Sequence, residues 1–277
     1  MDIVRISDGL GNQMFQYAFA RKWNIMTGHR VYMDSRFINN EDLFAKGRNP
    51  QLKGRLAHRE YGLPHFKTAL PTAEASMVSR CENLYKWFGR YKVEDENFYD
   101  SVFQNKVRLP AYYQGYFFDL RYYDDIRATL QREFSLKKKI RLPDRLRKIL
   151  AEENTVSVHI RRGDFLKLNR DISGSGYYER AFAYMEERAA APFYLIFSDD
   201  TEWVKNNMGI PEKRIFVSGM GFADYEELTI MKHCKNNVIA NSTFSYWAAY
   251  LNANPAKTVV CPGGWRAGII PEEWTAV

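Results

Sequence analysis

The chain has 277 residues, 45% of them hydrophobic and 15% aromatic. That composition excludes a disordered chain and suits two compact domains of roughly 100–200 residues each. Forty basic residues against 33 acids give a net charge of +7, which fits a basic solvated face, an anionic ligand or an anionic membrane surface. A nucleic-acid partner is disfavoured, because there is no zinc-finger spacing, no RNA-binding signature and no basic run longer than Lys137-Lys138-Lys139.

Residues 2–6 alternate as a short strand. Asp8-Gly9-Leu10-Gly11 carries turn chemistry. Phe15, Phe19 and Trp23 then recur at helical spacing, predicting a helix from Asn12 to about Met26 with Gly28 as its stop. A strand over 30–34 completes a βαβ-like unit. The same N-terminus lacks the basic-then-apolar form of a signal peptide. No apolar run reaches about 18 residues, the length a membrane span needs. Cys81, Cys234 and Cys261 are too far apart for a metal knuckle or a disulfide framework, so a reducing compartment is the simplest home.

Residues 35–110 are basic and irregular, with one helix expected near 72–89. Such a stretch reads equally as ligand-binding loops or as a surface insertion. Residues 111–134 are strongly aromatic and end in an expected helix over 120–134. A further helix is expected over 143–151. The charged segment around 137–153 marks the boundary, giving domains of 1–150 and 151–277.

Beyond it the pattern is regular. Strands are expected over 155–160, 193–197, 214–217, 238–240 and 258–261. Helices are expected over 177–190, 201–208, 225–234 and 243–251. This alternation implies a parallel sheet covered on both faces, with ligands at the carboxyl ends of its strands.

The chemistry-bearing residues lie at those ends. His159-Ile160-Arg161-Arg162-Gly163-Asp164 places two adjacent guanidinium groups at a strand exit. Their planar forks match phosphate oxygens, and the structural alternative is a pair of salt bridges to Asp164 and Asp171. His159 alone also fits a satisfied core histidine. Asp199 and Asp200 follow the next strand as helix caps or as metal ligands, with capping favoured. Asn241-Ser242-Thr243 opens a helix whose free N–H groups would suit phosphate or ribose, although one of these residues would suffice as a cap. The turn Gly9-Leu10-Gly11-Asn12-Gln13 is not a dinucleotide fingerprint, since Met14 stands where a third glycine is needed. It reads as a glycine turn that lets a ligand approach the backbone.

Taken in order, Gly9-Leu10-Gly11-Asn12-Gln13, His159 through Asp164, Phe197-Ser198-Asp199-Asp200 and the run opening at Asn241-Ser242-Thr243-Phe244-Ser245 resemble one family. It is the α-1,2-fucosyltransferases, glycosyltransferase family 11, in their compact bacterial form. The resemblance implies an α/β fold of the GT-B type, with two Rossmann-like domains facing across a cleft. It implies a first domain for the acceptor and a second for GDP-β-L-fucose. It further implies inversion, no metal and no cofactor. The acceptor would be a galactose-terminated oligosaccharide, and the place of action cytoplasmic, with peripheral membrane association open. Arg161 would meet the diphosphate, with Arg162 as its support. His159 would lie against the nucleotide, Asn241, Ser242 and Thr243 against phosphate or ribose, Asp199 on the nucleotide side and Gly11 at the turn. Glu227 would read the guanine edge. Asn12 would orient the acceptor hydroxyl, and Asp8 is the candidate base. Two departures touch the acceptor side. Asp8 replaces a glycine, and Gly115-Tyr116-Phe117-Phe118-Asp119 replaces a more usual Gly-Tyr-aromatic-Gln-Ser. A fucosyltransferase of another linkage, such as α-1,6, and a non-catalytic GDP-sugar binder are the alternative readings.

Overall fold

The computed structural model describes residues 1–38, 59–105 and 109–277. Parts of the irregular stretch, residues 39–58 and 106–108, lie outside the described residues. The chain divides into two compact units, Met1–Phe134 and Ser135–Val277. The sequence expectation put the division after residue 150. The contacts assign helix Asp144–Glu152 to the second unit, where it packs on the strand that follows it.

In the first unit, strand β1 (Asp2–Arg5) leads into helix α1 (Leu10–Thr27) and strand β2 (Val31–Asp34). Gly28 closes α1 in the left-handed conformation, φ 70°, with its N–H on the Asn24 carbonyl, a conformation that side chains resist and glycine accepts. Phe15, Phe19 and Trp23 are buried as the helical spacing requires, and Phe19 stacks on Phe117 at 3.8 Å between ring centroids. Two further strands, β3 (Tyr91–Val93) and β4 (Tyr112–Gln114), complete a parallel sheet of order β2-β1-β4-β3. β1 is therefore central and covered on both faces. Its end residues are buried although charged, and both have partners. The Asp2 carboxylate accepts the Ala111 N–H at 2.8 Å and meets His29 Nδ1 at 2.7 Å. Arg5 Nη1 donates to Gln114 Oε1 at 2.9 Å.

The second unit carries β5 (Asn154–Ile160), β6 (Pro192–Ser198), β7 (Arg214–Phe216), β8 (Asn236–Val238), β9 (Val259–Cys261) and β10 (Thr275–Ala276). All are parallel, in the order β10-β9-β8-β5-β6-β7. The chain winds outward from β5 through β6 to β7. It then returns to the other side of β5 as β8 and winds the opposite way. The core joins Val156, Val158 and Ile160 of β5 to Tyr177, Ala181 and Met185 of helix Tyr177–Arg188. A winding that reverses between β5 and β8 leaves a crevice at the carboxyl ends of these two strands.

Candidate active site

Both polar motifs of the second unit open at that reversal. Arg161, Arg162 and Gly163 follow β5, and Asn241 with Ser242 precedes helix Thr243–Leu251 just after β8.

The two arginines have different environments. Arg162 is buried and engaged through Nε and Nη1. Its Nη1 donates to Asp171 Oδ2 and to Ser173 Oγ, each at 2.7 Å, and its Nε reaches Asp200 Oδ2 at 3.2 Å. Its guanidinium lies 3.3 Å from the centroid of the Trp203 ring, a cation–π contact. Arg161 is more open, with 20% of its side chain exposed. Nη2 binds Asp164 Oδ1 at 2.5 Å and Nη1 meets Asp199 Oδ2 at 2.8 Å. The salt bridges offered by sequence as the structural alternative, Arg161 to Asp164 and Arg162 to Asp171, are therefore both present. They orient Arg161 without using all five donors of its fork.

Asp199 locks this corner. Its Oδ1 accepts the Arg162 peptide N–H at 2.8 Å. A Cβ on residue 163 would lie 2.5 Å from Asp199 Oδ2, so the close packing of the carboxylate requires glycine there. Asp200 caps helix Thr201–Asn207, its Oδ1 accepting the Trp203 N–H at 3.3 Å. Both acids thus serve arginines or a helix end. Among the described residues no group of three His, Cys, Asp or Glu side chains is placed to hold a metal ion.

His159 is buried at 5% exposure, its carbonyl accepting the Tyr178 hydroxyl at 2.9 Å. Burial, reinforced by Arg161, lowers its pKa to about 3, so the ring is neutral. Among the described residues its Nδ1 has no hydrogen-bond partner, and the same holds for the buried Asn241 Oδ1. Unpaired buried polar atoms are costly and rare, and two of them flank this crevice. Asn241 is held through Nδ2, which donates to the Arg170 carbonyl at 2.8 Å. Ser242 caps helix Thr243–Leu251 by accepting the Phe244 N–H at 3.3 Å. Thr243 is its first residue and half-buried.

Glu227 lies at the far side of the same sheet edge. Ser218 Oγ donates to its carboxylate at 3.0 Å and accepts the Ser198 N–H at the end of β6, also at 3.0 Å. Burial raises the Glu227 pKa to about 7, with the Asp224 charge adding to the shift and the Ser218 bond opposing it. One cationic feature escaped sequence reasoning. Arg266, in the loop after β9, has its pKa lowered by burial and by the like charge of Arg170.

The first unit gathers Asp8, Gly11 and Asn12 around the start of α1. Asp8 has φ 66°, the left-handed region. That region suits glycine, which enters it without the strain a side chain brings. The Asp8 carboxylate accepts the Tyr116 hydroxyl. Gly11 is a buried residue of the first turn of α1, so it lies in the helix and not in the turn before it. Asn12 is half-buried, its N–H on the Gly9 carbonyl at 2.9 Å. Gln13 is wholly buried and ties down residues 60–62. Its Nε2 donates to the Asp8 and Glu60 carbonyls at 2.8 and 2.7 Å, and its Oε1 accepts the Gly62 N–H at 3.0 Å.

Glu94, after β3, was missed by sequence reasoning. Its Oε2 accepts the Tyr116 and Phe117 N–H groups, each at 2.7 Å, and burial raises its pKa to about 7. It occupies the space of an absent side chain at Gly115, whose Cβ would lie 2.5 Å from Glu94 Cβ. Glu94 therefore sets the loop that carries Tyr116 to Asp8.

Comparisons with known proteins bear on the family and the fold. The O-antigen biosynthesis glycosyltransferase WbnK of Escherichia coli is 29% identical over 95% of this chain and 94% of its own length. An α-1,2-colitosyltransferase of Escherichia coli is 26% identical over 99% of this chain and 98% of its own. The galactoside 2-α-L-fucosyltransferase SEC1 of Bos taurus is 26% identical over 87% of this chain, which spans 62% of that protein. Among solved structures, the fucosyltransferase NodZ from Bradyrhizobium shares the fold, with a TM-score of 0.54 at 14% identity over 89% of this chain and 91% of that one. Two α/β units on parallel sheets and this likeness give the GT-B type of architecture. The profile of glycosyl transferase family 11 matches residues 2–266, and the chain belongs to that family.

Proposed function

We propose that this glycosyltransferase moves L-fucose from GDP-β-L-fucose to the 2-hydroxyl of a terminal galactoside, with inversion and without a metal ion, in the synthesis of a surface polysaccharide. The observation that carries the reading is Arg161, a partly exposed guanidinium at the strand-order reversal with N–H donors beyond its two carboxylate partners. The acceptor oxygen forms a bond to the anomeric carbon as the bond from that carbon to the diphosphate oxygen breaks. The electron pair leaves with GDP, and Arg161 meets the growing charge, a preorganised contact worth about 3–4 kcal/mol. Arg162, buried among Asp171, Asp200 and Trp203, keeps Arg161 in register. Asp199 holds both. His159 Nδ1 and Asn241 Oδ1, which have no hydrogen-bond partner among the described residues, meet the nucleotide. Ser242 and Thr243 present a helix start to phosphate, and Glu227 reads the guanine edge. On the acceptor side Asn12 orients the hydroxyl and Asp8 takes its proton.

Among the described residues no helix is long and apolar enough to cross a membrane. On this reading the enzyme is cytoplasmic, with peripheral membrane association open. The full-length likeness to an α-1,2-colitosyltransferase favours a second reading in which colitose replaces fucose as the transferred sugar. The test supplies GDP-fucose, and in parallel GDP-colitose, with a panel of galactosides, reads released GDP and assigns the product linkage by NMR. An α-1,2-fucosyl galactoside is expected. An α-1,6 product, transfer of colitose only, or GDP binding without turnover overturns the reading.

A further inference from the structure

Helix Ala75–Trp87 buries one face against β1 and β4 through Val78 and Tyr85. Its other face ends in an apolar knuckle. Leu84 is 52% exposed, Trp87 86% and Phe88 63%. Leu84 and Trp87 are three residues apart and share a face. The Trp87 and Phe88 rings lie nearly parallel, 18° apart with centroids 6.3 Å apart. Gly89, at φ 64°, turns the chain sharply into β3, so the two rings stand at the tip of the turn. Exposed single apolar residues are ordinary, but three large ones gathered at one helix end mark an interaction surface.

Charge and area identify the occupant. Residues 83–93 hold Lys86, Arg90 and Lys92 and no acid. The Arg90 guanidinium sits 6.0 Å from the Phe88 ring. The nearest carboxylate of the helix, Glu82, bridges Arg36 at 2.8 Å and Lys86 at 2.6 Å with 15% of its side chain exposed, so Lys86 is charge-paired and Arg90 is the cation at the rings. An exposed tryptophan beside cations suits the interfacial layer of an anionic bilayer, where the ring sits at headgroup depth and the cations meet lipid phosphates. A second protein surface fits less well. Two aromatic rings and a leucine bury roughly 500 Å² at most, against about 800 Å² per partner in a stable complex.

We propose that the Trp87–Phe88 knuckle, with Arg90, docks this protein on an anionic lipid surface. The inference does not rest on the identity of the donor sugar. The test is co-sedimentation of the full chain with vesicles of phosphatidylcholine alone and of phosphatidylcholine with phosphatidylglycerol. Binding is expected only with phosphatidylglycerol and should fall as salt is raised. Trp87→Ala should weaken it by roughly tenfold. Arg90→Glu should weaken it about as much at low salt. Both variants should keep wild-type turnover on a soluble acceptor, which reports an intact fold. Equal binding by wild type and Trp87→Ala overturns the proposal, as does equal binding to both vesicle types. It is also overturned if the wild type self-associates without lipid and Trp87→Ala abolishes that association.

Discussion

Gly163→Ala adds a single methyl group where the Asp199 carboxylate is packed. The new Cβ would lie 2.5 Å from Asp199 Oδ2 and 3.2 Å from Cγ, too close for either atom to stay. Asp199 is not free to swing aside, because Oδ1 holds the Arg162 N–H at 2.8 Å and Oδ2 holds Arg161 Nη1 at 2.8 Å. Moving the carboxylate gives up at least one hydrogen bond to a charged group, about 1.5–3 kcal/mol. Alanine returns up to about 1 kcal/mol through helix propensity, since residue 163 begins a short helix. The net expectation is a loss of about 1–2 kcal/mol, seen in urea unfolding as a lower midpoint at unchanged slope. Adding Asp199→Ala removes the clash, so the double variant should be more stable than the sum of the two single losses predicts. A Gly163→Ala protein as stable as wild type, or more so, would refute the packing argument, because propensity alone would then decide the sign.

Three further outcomes follow from the site. Burial raises the Glu227 pKa from 4.5 to about 7, so the folded protein keeps a proton that the unfolded chain loses. That stability is whole below pH 4.5 and is lost as pH rises through about 7. Glu227→Gln should flatten this part of the Tm–pH curve, and an unchanged curve refutes the assignment. Arg162→Ala leaves Asp171 and Asp200 without their buried cation and should cost about 3 kcal/mol or more in chemical unfolding. A loss no larger than a surface substitution gives, within about 0.5 kcal/mol, would contradict the locked geometry. Asp8→Asn should lower kcat while leaving GDP affinity unchanged, and undiminished turnover removes Asp8 as the base.

The second unit was largely legible because β5, β6, β7 and β8 are each followed by a helix. Helix Thr243–Leu251 lies where the pattern put it. β8 begins two residues earlier than expected, and the reason is chemical. Asn236 and Asn237 look like loop residues, yet Asn237 is fully buried and donates to Ser157 Oγ at 2.7 Å. The arginine pair was visible at the strand exit, but its asymmetry was not. Asp171 is legible as an ion-pair partner, but Ser173 beside it and Trp203 from helix Thr201–Asn207, which also lock Arg162, carry no signal in the sequence. In the first unit β3 and β4 escaped notice because each has only three residues, and Tyr112 and Tyr113 are both buried, leaving no alternation to read. The expected helix over 120–134 begins instead as two 3-10 turns, Leu120–Tyr122 and Asp124–Ile126, before helix Arg127–Glu133. The first is set by Asp119 capping the Arg121 N–H at 2.9 Å. Glu94 had no sequence signal, since its role depends on the distant Gly115 loop.

The central claim is that Arg161 stabilises the departing diphosphate. The direct measurement is single-turnover transfer from GDP-fucose to a galactoside by wild type, Arg161→Ala and Arg161→Lys. Arg161→Ala should slow the chemical step by roughly a hundredfold or more. Lysine should recover little of that loss, because it lacks the planar fork. A chemical step in Arg161→Ala as fast as in wild type would contradict the account.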